Sequence, residues 1–327
     1  MTLLTILIAL SLIFDFLNGF HDSSNVVATV ISSRAMQPRT ALVLAAISEF
    51  TAPFLFGVAV ATTVGKGVVE PSAISPIVVL GAVSAAIFWN LLTWWLGIPS
   101  SSSHALIGGL LGSSIVANGV KIVQIGGLTK VLLALLISPP LGLLTSFILM
   151  RLLRHLLRNA TPRISSVFKR SQLFTALALS LSHGTNDAQK TMGVITMGLV
   201  AGGFQTTFEV PLWVIAASAG AIALGTALGG WRLIRTLGGR IYKIRPIHGF
   251  TSQAASAIVI FTAALLGGPV STTQVVGSAI MGAGAAERLS KVRWQVGREM
   301  VITWLLTIPA TAIFSALFYL GFTPIFQ

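Results

Sequence analysis

Apolar residues fall along this chain in long blocks separated by short polar intervals. That is the pattern of membrane helices, not the alternation of half-buried strands. Five units precede a basic central stretch: A at 3–35, B at 40–63, C at 73–96, D at 99–117 and E at 127–149. Five follow it: A′ at 172–200, B′ at 210–229, C′ at 250–267, D′ at 269–284 and E′ at 297–321. The blocks divide the chain into a first half at 1–150, a linker at 151–170 and a second half at 171–327. As one unbroken helix, unit A would be about 50 Å long, against a hydrocarbon core of about 30 Å. Gly19 and the polar run His21 to Asn25 therefore mark an expected helix break.

Composition agrees with lipid as the main solvent. Of 327 residues, 54% are apolar and 9% charged, where a soluble domain carries about 25% charged residues. A net charge of +13 in a soluble protein would suggest nucleic acid. Here the basic residues sit in short loops without interleaved aromatics, as the positive-inside rule requires. With the N-terminus outside, cytoplasmic loops collect 17 basic residues and outer loops only Lys66 and Lys121. Both termini are then expected outside a cell membrane. The run Met1 to Leu17 has no basic leader or small-residue cleavage site, so it reads as a retained first helix. The absence of Cys excludes disulfides, thiolate catalysis and Cys-ligated metals.

Five crossings per half would make the halves enter the membrane from opposite sides, predicting inverted-topology repeats. Two motifs recur in the same order. Gly19-Phe-His21-Asp22-Ser-Ser-Asn25 corresponds to Gly184-Thr-Asn186-Asp187-Ala-Gln-Lys190 at an offset of 165. Pro99-Ser-Ser101-Ser102-Ser103-His104 corresponds to Pro269-Val-Ser271-Thr272-Thr273-Gln274 at an offset of 170. The expected fold is all-α and polytopic, with broken helices. Units C–D and C′–D′ are read as re-entrant hairpins whose tips meet at mid-depth.

Carboxylates inside a membrane are costly and mark ion or substrate pathways. Asp22 and Asp187, beside oxygen donors such as Asn25 and Asn186, suit a hard cation or a proton. Pro followed by Ser or Thr at a helix start exposes unpaired N–H groups and a partial positive charge, which can hold a tetrahedral oxyanion. Ser101, Ser102, Ser103, Ser271, Thr272 and Thr273 are the candidate oxyanion donors. An anion between two carboxylates would be repelled, so cations must enter with it.

The duplicated motifs resemble the signatures of the inorganic phosphate transporter (PiT) family, bacterial type, over essentially the whole chain. The resemblance implies uptake of inorganic phosphate by symport with Na⁺ or H⁺, a site between inverted repeats and a homodimer. Some similar proteins carry sulfate instead. The usual Gly-Ala-Asn-Asp-x-x-Asn reads Gly-Phe-His21-Asp in the first copy, and the second copy ends in Lys190. Lys190, three residues after Asp187, could neutralise it. That weakens the case for a second Na⁺ site and strengthens proton coupling, with His21 as a participant or an ordinary interior hydrogen-bonder. If sodium drives transport, Asp22, Asn25 and Asp187 are its ligands. Glu49, in mid-unit B, is a further cation-linked candidate. His104 and His183 have no metal-ligand spacing and read as structural. No nucleophile–base–orienter set, P-loop or His-Glu-x-x-His motif supports an enzyme, and no cofactor beyond the transported ion is implied. An anion channel is the weaker alternative, since a pore needs no coupling site.

Overall fold

The structure is a computed structural model describing residues 2–69, 74–98, 100–230, 234 and 243–326. It is helical throughout, with a single isolated β-bridge, Val69 to Val123, among the described residues. The first half contains α1 (Thr2–Ser32), α2 (Pro38–Phe56), α3 (Ala59–Gly67), α4 (Pro76–Leu96), α5 (Ser102–Asn118) and α6 (Ile125–Leu156). The second contains α7 (Ile164–Ala201), α8 (Leu212–Leu228), α9 (Pro246–Leu265), α10 (Thr272–Glu287) and α11 (Trp294–Phe326). Pro99 and the basic residues Arg232, Arg235 and Arg240 lie outside the described residues.

Helices α1, α2, α4, α6, α9 and α11 are long and apolar enough to cross a membrane. Helix α7 has the length, 38 residues, but its centre is polar, and that centre is enclosed by protein. Every residue from Ser182 to Leu199 is buried. Helix α11 instead exposes Leu305, Ile313, Leu317 and Leu320 by 57–66%, as a lipid-facing helix does.

The break expected at Gly19 is absent. Helix α1 runs unbroken for 31 residues and α7 for 38. Their polar residues need no break because neighbouring helices, not lipid, surround them. The two glycines act through close approach instead. A Cβ on Gly19 would lie 2.1 Å from the Ile222 carbonyl oxygen of α8, and one on Gly184 would lie 2.6 Å from the Glu49 Cα of α2. The interruption falls in unit B, between α2 and α3 at Gly57–Val58. There Gln189 of α7 supplies the missing hydrogen bonds. Its Oε1 accepts from Val60 N at 2.7 Å and Ala61 N at 3.2 Å, and its Nε2 donates to Gly57 O at 2.6 Å. The basic stretch 151–170 is also mostly helical, because α6 continues to Leu156 and α7 starts at Ile164.

Packing partners occur in matched sets. Helix α1 packs on α8 and α4, and α7 on α2 and α9. Helix α5 lies against α11, as α10 lies against α6. A short 3₁₀ turn follows α5 at Val120–Ile122 and another follows α10 at Leu289–Lys291. Helices α5 and α10, of 17 and 16 residues, would be about 24–26 Å long, short of a full hydrocarbon core. Their N-termini point to the middle of the α1–α7 pair.

Candidate functional site

The centre forms where α1 and α7 carry Asp22 and Asp187 past the start of α10. Thr272 Oγ1 lies 3.2 Å from Asp22 Oδ2 and 2.9 Å from Asp187 Oδ2. Thr273 Oγ1 donates to Asp22 Oδ1 at 3.0 Å and accepts from Asn25 Nδ2 at 2.9 Å. The repeated motifs thus converge across some 250 residues of chain. One hydroxyl proton cannot serve two carboxylates at once, so Thr272 leaves negative charge that a cation or proton can satisfy. The Asn25 carbonyl oxygen, buried at the same place, accepts no hydrogen bond among the described residues.

His183 stands among three carboxylates. Its Nδ1 is 3.0 Å from Glu49 Oε1; its Nε2 is 3.0 Å from Asp187 Oδ2 and 3.8 Å from Asp22 Oδ2. One ligand atom each from Asp22, His183 and Asp187 lie within 4.8 Å of one another, close enough to share a metal ion. His183, read from the sequence as having no metal-ligand spacing around it, therefore does have ligand-distance neighbours in space. The signal was its i,i+4 spacing from Asp187, which puts both on one helix face. Glu49 is fully buried, and its Oε2 accepts from Thr226 Oγ1 at 2.6 Å. His21 Nδ1 is 3.0 Å from Asp22 Oδ1.

Lys190 forms an ion pair with Asp187 and donates to Ser103 Oγ at 2.6 Å and to Val270 O at 3.1 Å. Asn186 faces elsewhere. Its Nδ2 donates to Gly268 O at 3.1 Å and its Oδ1 accepts from Val270 N at 3.3 Å, so it anchors the turn before α10, and its side chain makes no hydrogen bond to Asp22 or Asp187 among the described residues.

The hydroxyl runs are more engaged than a bare anion cradle would be. Ser101 caps α5, accepting from His104 N at 3.2 Å, and lies 2.7 Å from His104 Nδ1. Ser271 caps α10, accepting from Gln274 N at 3.4 Å. Ser103 donates to Val270 O at 2.9 Å, tying the start of one short helix to the turn before the other. His104 and Gln274, equivalent in the two motifs, meet at 3.4 Å. Ser102 and Ser271 are left with hydroxyl protons not donated among the described residues, together with the first backbone amides of α5 and α10.

A further carboxylate escaped the sequence reading. Asp15 is fully buried one turn from Asn18 and two from Asp22. Its two oxygens have no hydrogen-bond partner among the described residues. The polar positions Ser11, Asp15, Asn18 and Asp22, spaced by four, three and four in an apolar helix, were its signal.

Fold and site together define a polytopic helical membrane protein enclosing a charged, oxygen-rich centre. The phosphate transporter family profile matches residues 18–315, and the chain belongs to that family. It is 44% identical over 97% of its length to a "probable low-affinity inorganic phosphate transporter" of Rhizobium meliloti, covering 96% of that protein. A Bacillus subtilis protein of the same description is 43% identical, with 99% of this chain and 98% of that protein aligned. Among solved structures, "the sodium-dependent phosphate transporter" superposes with a TM-score of 0.90 at 28% identity, covering 99% of this chain and 100% of the other.

Proposed function

We propose that the protein imports inorganic phosphate across the cell membrane by symport with a cation, Na⁺ or H⁺. The observation that carries this reading is the Thr272 hydroxyl held between Asp22 and Asp187 at the start of α10. It joins cation-binding carboxylates to an anion-binding helix terminus in one buried place. The relatives' descriptions supply the cargo, and the sodium-dependent structural neighbour supports cation coupling.

The cation binds first, at Asp22 and the free oxygen of Asn25, with His183 and Glu49 beside it. Negative potential falls, and phosphate docks on the N-termini of α5 and α10 through backbone amides, Ser102 and Ser271. A loaded, neutralised centre can change the side to which it opens, whereas an uncompensated charge in transit would be costly. The two halves act as inverted repeats in alternating access, a reading supported by the matched helix pairings and the basic-residue asymmetry. The short α5 and α10 favour hairpins entering from opposite faces. The excess of basic residues in the loops assigned to the cytoplasm favours both termini outside; a homodimer is inferred from the family alone.

Phosphate is favoured over sulfate because a protonated phosphate needs acceptors, which the carboxylates provide. The test is uptake of labelled phosphate into proteoliposomes under an imposed Na⁺ or H⁺ gradient, with sulfate as competitor. Saturable uptake that follows one gradient and resists sulfate is expected. Linear flux indifferent to both gradients would assign a channel, and equal competition by sulfate would reassign the cargo.

A further inference from the structure

Lys190 has the surroundings of a bound metal cation. On a side chain only 2% exposed, its Nζ meets the Asp187 carboxylate, the Ser103 hydroxyl at 2.6 Å and the Val270 carbonyl at 3.1 Å. These oxygens come from α7, from the first turn of α5 and from the turn before α10. Carboxylate, hydroxyl and carbonyl oxygens are the donors that hard cations select.

The other half shows the same geometry with a different charge. The offset of 165 that relates Asp22 to Asp187 relates Asn25 to Lys190, and the offset of 170 relates Ser103 to Thr273. Asn25 donates to Thr273 at 2.9 Å, as Lys190 donates to Ser103 at 2.6 Å. Asn25, however, is neutral, and its Oδ1 has no hydrogen-bond partner among the described residues. One carboxylate therefore stands beside an oxygen that can accept a cation. The other stands beside a permanent ammonium.

We propose that Lys190 is a tethered counter-cation. Its ammonium fills the coordination place that a mobile ion would take beside Asp187, so that half of the centre contributes no ion to transport. Coupling then runs through the Asp22 half, with one cation fewer per phosphate than a centre with two open halves. The inference rests on the cation-coupled reading of the site and identifies which carboxylate the mobile ion uses. An ammonium fixed to α7 neutralises Asp187 in every state of the cycle and is never released.

The test counts sodium rather than phosphate. Purified protein, free of phosphate, is equilibrated with radioactive Na⁺ and its thermal unfolding is followed in Na⁺ and in choline. Lys190→Asn, which installs the residue of the corresponding position, is expected to bind one Na⁺ more per chain than the wild type. Its unfolding temperature should also gain more from replacing choline with Na⁺. Lys190→Arg, which keeps the charge, should follow the wild type in both. An unchanged sodium count in Lys190→Asn would overturn the proposal. So would failure to recover that variant in high Na⁺ and in choline alike, because Na⁺ could then not stand in for the ammonium. Wild-type phosphate uptake, measured separately, reports on the cargo, so a failure of the symport reading is distinguishable from a failure of this one.

Discussion

Replacing Asp187 by Asn removes the carboxylate paired with Lys190 and leaves a 2%-exposed ammonium whose other hydrogen-bond partners among the described residues are the neutral Ser103 hydroxyl and Val270 carbonyl. Breaking a buried ion pair from one side costs about 3–5 kcal/mol, because the surviving charge loses its compensation. Removing the ammonium as well, in Asp187→Asn/Lys190→Met, takes away both charges and keeps an amide to meet Thr272 and His183. Replacement of a whole buried pair is often close to neutral. The expected pattern is therefore two unstable single variants and a double variant that recovers most of the loss. Unfolding of the purified protein in detergent, run as a double-mutant cycle, measures it. Purely additive losses would refute the reasoning, since independent sites add and coupled ones do not.

Other outcomes follow from individual contacts. Asp22→Asn should fold with near-normal stability, because its amide oxygen can still accept from Thr273 while its NH₂ donates to Thr272, whose own proton goes to Asp187, yet lose gradient-driven phosphate uptake; near-normal uptake would remove Asp22 from the coupling role. Asp15→Asn should raise the unfolding temperature, since a fully buried carboxylate with no hydrogen-bond partner among the described residues is costly; a drop would show that its charge is compensated in the native protein. Gln189→Leu should lower stability by about 1–3 kcal/mol or more, because it uncovers Val60 N, Ala61 N and Gly57 O at the α2–α3 interruption. An unchanged unfolding temperature would mean that water replaces the side chain there.

The centre was legible in the sequence as far as it was built from repetition. Asp22, Asp187, Thr272, Thr273 and Lys190 were all marked by two motifs at two offsets, and the structure brings them together. Local effect was harder to read than location. Gly19 suggested a break, but the missing Cβ atoms of Gly19 and its counterpart Gly184 admit α8 and α2 at contact distance. Only the identity of the crossing helix distinguishes those uses of glycine. The true interruption at Gly57 is stabilised by Gln189, more than 130 residues away, and no local pattern encodes such a partner. His183 was weighed singly and Asp15 went unweighed, although each belongs to a polar helix face. Asn186 shares its motif with Asp187 but points to the turn before α10, since neighbours in sequence on a helix diverge by about 100°.

Phosphate binding to the purified protein across a titration of the coupling cation tests the central claim most directly. If carboxylates and helix termini form one site, phosphate affinity rises with Na⁺ or with proton concentration, cation affinity rises with phosphate by the same factor, and Asp22→Asn abolishes both effects. Phosphate affinity that stays constant across both titrations, or that weakens as the cation is added, would contradict the account.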